Sequence, residues 1–82
     1  MSETGHDLHA LFPDHGPALH ALKLADAHFR TLAEQHHDVT LEIQRIEDGL
    51  VAASDVRIEA LKKQRLQLLD EVAGLVAAHE AA

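Results

Sequence analysis

The sequence predicts an all-α fold: an antiparallel two-helix coiled-coil hairpin with a short N-terminal helical turn, assembling into a four-helix bundle. Three observations carry this. Apolar residues keep a seven-residue repeat from Ala18 to Leu50, with only His36 polar among ten core positions. A second repeat runs from Ile58 to His79. The link between them is only about five residues, too short to do anything but turn one helix back on the other.

Residues 1–16 are read as a frayed N-terminus with a short helical turn. Leu8, Leu11 and Phe12 have helical spacing, but Pro13 pushes Phe12 out of the helical region. Pro17 suits the first turn of a new helix, where a missing N–H costs nothing. The first long helix is predicted over 17–48, with Leu22, Phe29, His36, Ile43 and Leu50 at a and Ala18, Ala25, Leu32, Val39 and Ile46 at d. Gly49 opens a loop over 49–54, which ends on Ser54, a capping side chain. The second helix is predicted over 55–79, with Asp55 favourably placed in its first turn. Its core positions are Ile58, Arg65, Val72 and His79 at a and Leu61, Leu68 and Leu75 at d. Residues 6–79 form a single domain.

Charge selects the register. With the turn centred near residue 52, Ile43 meets Leu61, Ile46 meets Ile58, Leu32 meets Val72 and Phe29 meets Leu75. The flanking positions then oppose Glu42 with Arg57, Glu47 with Lys62, and His28 with Glu71. Each exposed pair contributes only ~0.2–1 kcal/mol, but together they favour this pairing over slipped ones.

The core is thin. Fourteen of the hydrophobic residues are alanine, leaving 24 larger apolar side chains among 82 residues, and no cysteine is present to cross-link them. A first helix of about 32 residues overhangs the second, leaving Leu19 and Leu22 uncovered. A further stripe of Leu66, Leu69, Ala73 and Val76 runs beside the seam of the second helix. Two helices cannot bury both surfaces, so the expectation is a homo-oligomer, dimer or tetramer, whose contact residues include Leu19, Leu22, Leu66, Leu69 and Val76. His36 and Arg65, polar groups at a positions, are candidates for fixing register and specificity.

Composition excludes several chemistries. There is no Cys-based zinc site or thiol nucleophile, and with no Trp or Tyr and two Phe there is no base-stacking platform. Fourteen acidic against seven basic residues give a net charge of −7, which disfavours nucleic acid. A basic face of Arg57, Lys62 and Lys63 on the second helix, together with the histidines, is the alternative site, for weak nucleic-acid or ligand binding. Eight histidines are an oddity, but His6/His9 is the only local pair at ligand spacing, and His36 and His37 point about 100° apart. No metal site or cofactor is expected. Carboxylates such as Glu42 and Glu47, or Asp70 and Glu71, fall on solvated helix faces, and no glycine-rich phosphate loop or nucleophile elbow occurs, so no enzymatic activity is expected. No apolar run approaches the ~20 residues of a membrane span and no secretory signal is visible, which makes the cytoplasm the default location. The function expected is that of a structural or adaptor protein, with a protein partner whose identity no residue encodes.

The runs His6-Asp7-Leu8, Leu11-Phe12-Pro13-Asp14, Leu22-Lys23, Asp26-Ala27-His28-Phe29, Ile43-Gln44-Arg45-Ile46-Glu47 and Leu61-Lys62-Lys63-Gln64-Arg65-Leu66, ending in Asp70-Glu71, closely resemble the YdcH-like family of small bacterial proteins. The resemblance spans roughly residues 6 to 77 and implies a coiled-coil hairpin of unknown function. The chain departs from the usual pattern at Leu69, where relatives tend to carry lysine, and at His36, where tyrosine is frequent.

Overall fold

A computed structural model describes residues 6–82. Four α-helices follow in order: α1 (His6–Leu11), α2 (Gly16–Ala25), α3 (Ala27–Glu47) and α4 (Asp55–Ala81), with a 3-10 turn at Pro13–His15 between α1 and α2. The long pair, α3 and α4, forms the antiparallel hairpin. The molecule is correspondingly elongated, 44 × 26 × 22 Å.

Local chemistry accounts for each boundary. Phe12 stands outside the helical region at φ −125°, ψ 63°, as Pro13 requires. At the far end of α3 the amides of Gly49 and Leu50 donate to the carbonyls of Ile46 and Arg45, at 3.1 and 2.9 Å. This paired closure needs a left-handed residue, and Gly49 supplies it at φ +79°. Helix α4 begins where the Ser54 hydroxyl accepts the Arg57 amide at 3.2 Å, with Asp55 in the first turn.

The core follows the heptads. Phe29, Leu32, Val39 and Ile43 of α3 are buried with Leu61, Leu68 and Val72 of α4, and Ile46 and Leu75 pack at the margin. His36 lies inside the same seam at 1% exposure. The register read from charge is present at the loop end of the hairpin. Glu42 pairs with Arg57, and Lys62 Nζ lies 3.6 Å from Glu47. His28 and Glu71 are both exposed and form no ion pair among the described residues.

One expected element is divided. The helix predicted over 17–48 is interrupted at Asp26, which takes an extended conformation (φ −125°, ψ 108°) and caps α3 by accepting the Phe29 amide at 3.1 Å. The break has a packing cause. A straight helix would carry Leu19 and Leu22 past the end of α4 into solvent, whereas the bend lays α2 against α4. Ala18, Leu19 and Leu22 are thereby buried in one core with Leu8 and Val76. The overhang expected to need a second chain is instead folded back onto the chain's own α4, with Leu8 of α1 in the same core. Leu50, placed at a core a position, lies instead outside the seam because α3 ends at Glu47 and Gly49 turns the backbone away.

Two stability measurements follow. Leu19 is 2% exposed within one chain, so Leu19→Ala should lower unfolding free energy by about 2–5 kcal/mol, independently of protein concentration. A loss that vanishes on dilution would instead place Leu19 at a contact between copies. Nothing lies within 4 Å of a Cβ built on Gly49, so Gly49→Ala should incur only the backbone cost of its positive φ, about 1–2 kcal/mol in urea denaturation.

Candidate interaction surface

The five residues proposed for contacts between copies do not form an exposed face. Leu19, Leu22 and Val76 are buried, and Leu69 is half-buried against the core. Only Leu66 remains outside, at 60% exposure. Of the stripe on α4, Val76 is buried in one core with Leu19 and Leu22 of α2 and Leu69 packs at its margin, while Leu66 and Ala73 stay exposed.

The basic face is already engaged. Arg57 and Lys62 answer Glu42 and Glu47 across the hairpin, while Lys63 stays exposed on the outer side of α4. Glu59, Lys62, Lys63 and Leu66 line a shallow surface recess. One carboxylate, two ammonium groups and an isobutyl group there give neither a concentrated positive field nor a set of converging donors. Arg65 is only half-buried, so it does not fill a core layer as the heptad assignment implies. His36 does; one turn on, the Thr40 hydroxyl is buried and itself has no hydrogen-bond partner among the described residues.

Of the His6/His9 pair, the His6 side chain lies outside the described residues. Among the described residues no three His, Asp or Glu side chains converge on a point where a metal ion could sit. One histidine has a tie the sequence did not suggest: His15 Nδ1 lies 2.7 Å from a Glu80 carboxylate oxygen, fastening the 3-10 turn to the end of α4. Both side chains are about 40% exposed, so this clasp contributes little to stability by itself.

The clearest exposed apolar cluster is at the hairpin tip. Leu50 and Val56 are 75% and 77% exposed, and Val51 is 46% exposed. Ala52 between them is exposed as well. In a glycine-closed helix end, the residue in the position of Leu50 commonly packs back on its own helix; here it points away. The tip rests on a stiff base, because the Ser54 cap, the Gly49 closure and the two ion pairs fix both strands of the loop. Sequence reasoning passed over this site because Leu50 fits the heptad and the rest reads as small and weakly polar. The available signal was Leu50, Val51 and Val56, three large apolar side chains within seven residues around a turn. Leu11, Leu24 and Leu41 are also exposed but lie singly on other parts of the fold, which is ordinary for a protein surface.

No helix among the described residues is long and apolar enough to cross a membrane. No curated protein and no solved structure matches the chain. A family model described as a protein of unknown function (DUF465) matches residues 29–76, which comprise nearly all of α3, the tip and α4 as far as Val76, and leave α1 and α2 outside. More than half of the chain lies within that match, in line with the resemblance its motifs carry: the protein belongs to the DUF465 family, of which YdcH is a member.

Proposed function

We propose that this protein is a non-enzymatic, cytoplasmic adaptor that docks a protein partner on the apolar tip of its α3–α4 hairpin. The observation that carries this reading is the outward placement of Leu50, Val51 and Val56 on a base held by caps and cross-hairpin ion pairs. Three large apolar side chains at the end of a rod present a knob, and a knob suits an apolar groove on a partner. Pre-organisation helps, since the loop is already closed at Gly49 and Ser54 and little backbone freedom is left to lose on binding. Self-association is not required to finish the core, because Leu19, Leu22 and Val76 are covered within one chain. Nucleic acid suits the surface poorly, as Arg57 and Lys62 already answer carboxylates and the net charge is −7.

Replacing Leu50, Val51 and Val56 together by serine should leave the unfolding free energy within roughly 0.5 kcal/mol per site of the parent, since these side chains contribute little to the core. The same variant should fail to retain from native cell extract the proteins that the parent retains. An unchanged set of captured proteins, with folding intact, would refute the tip as the docking site.

A further inference from the structure

The break at Asp26 has the construction of a switch. Helices α2 and α3 share one heptad phase across it: Ala18 and Leu22 on one side and Phe29 and Leu32 on the other are all buried core positions of the same repeat. Between residues 18 and 48 there is no glycine or proline to forbid a continuous helix. Helical hydrogen bonds even persist over the bend, from the Asp26 amide to the Leu22 carbonyl at 2.8 Å and from the Arg30 amide to the Asp26 carbonyl at 3.2 Å. Straightening therefore requires chiefly the rotation of one residue from φ −125°, ψ 108° to the helical region near −63°, −42°.

Two side chains occupy the backbone groups that the bend sets free. Asp26 Oδ1 accepts the Phe29 amide at 3.1 Å, and Arg30 Nη1 donates to the Lys23 carbonyl at 2.9 Å. In a continuous helix the Phe29 amide would turn to the Ala25 carbonyl and the Lys23 carbonyl to the Ala27 amide. Asp26 and Arg30 thus act as a latch that replaces helical hydrogen bonds with side-chain ones. At the other end of the segment the clasp is the half-exposed His15–Glu80 pair.

From this we infer that the α1–α2 segment is exchangeable between two copies of this chain. Straightened at Asp26, α2 would carry Leu19 and Leu22 beyond the end of its own α4, and the surface around Val76 would lose its cover. A second copy in the same state has complementary needs, so each chain's α1–α2 closes the other's hairpin in a two-fold dimer with the same core contacts. The segment that moves lies outside the family match, while most of the hairpin it covers, from Phe29 to Val76, lies inside it. This inference is independent of the tip and its partner.

Substitution at the hinge separates the two states. Asp26→Ala with Arg30→Ala removes the latch and supplies strong helix formers, so light scattering should show twice the single-chain mass of 9.0 kDa. In that background, cysteines introduced as His15→Cys and Glu80→Cys should join two chains on a non-reducing gel. In the parent they should close within one chain. Ala27→Pro has the opposite effect, because proline is favoured at the first position of α3 and holds the preceding residue extended, as Asp26 already is. Added to the double variant, it should restore the single-chain mass. A double variant that stays at 9.0 kDa with its helix signal intact, or a dimer that survives Ala27→Pro, would overturn the exchange. Should the double variant lose its helix signal, the parent chain refolded from denaturant at millimolar concentration should yield a dimer fraction that Ala27→Pro lacks; equal fractions would overturn the proposal as well.

Discussion

Each helix of a two-helix hairpin can bury only one stripe, and the remaining structure answers that constraint. The α3–α4 seam takes Phe29, Leu32, Val39, Ile43, Leu61, Leu68 and Val72. It leaves α4 with apolar surface beside the seam, at Leu69 and Val76. An exposed stripe of that kind costs solvation free energy at about 25 cal/mol per Å², and the nearest surface able to cover it is the amphipathic segment that precedes α3. Bending the chain at Asp26 forfeits helical hydrogen bonds worth about 0.5–1.5 kcal/mol each. The bend buries Leu8, Ala18, Leu19 and Leu22, and full burial of a single leucine side chain contributes about 1.5–3 kcal/mol. With the cap and the Arg30 bond offsetting part of the loss, burial outweighs the break.

Much of the hairpin was legible because its signals are local and redundant. The heptads set the seam, Gly49 and Ser54 set the turn, and Glu42–Arg57 and Glu47–Lys62 set the register. The break was not legible for a specific reason. Aspartate in a helix interior costs only about 0.7 kcal/mol relative to alanine, so Asp26 reads equally well as a solvated helical residue and as a cap. What decides is whether α2 has a surface to fold onto, and that is a tertiary fact. The same reasoning explains Leu19, Leu22 and Val76: their apolar character is plain in the sequence, but the identity of the covering element depends on one backbone angle. Leu50 differs, since a periodic pattern continues through a turn as readily as through a helix, and only the positive φ of Gly49 removes it from the seam.

The candidate site follows from these same boundaries. Once Leu50 is outside the core, it joins Val51 and Val56 at the end of the rod, where the neighbouring charges on α3 and α4 are partly paired with one another. Paired charges at the base of an apolar tip carry less repulsion or attraction toward a partner than free ones, so recognition there rests on shape and apolar contact. The recess beside Lys63 and Leu66 has the opposite balance, with two ammonium groups, a carboxylate and little enclosure.

The N-terminal segment and the tip divide the molecule by the kind of stability each uses. At the tip, caps and ion pairs fix a short loop while its apolar groups stay in water. At the other end, buried leucines hold α1 and α2 in place, and the polar ties at His15, Asp26 and Arg30 are few and partly exposed. Apolar contact is non-directional, so the same leucines can be satisfied by an equivalent surface on another chain, whereas the hydrogen bonds at Asp26 specify the bend. Affinity for the hairpin thus resides in the leucines, and the choice of which chain's hairpin they cover resides in Asp26 and Arg30.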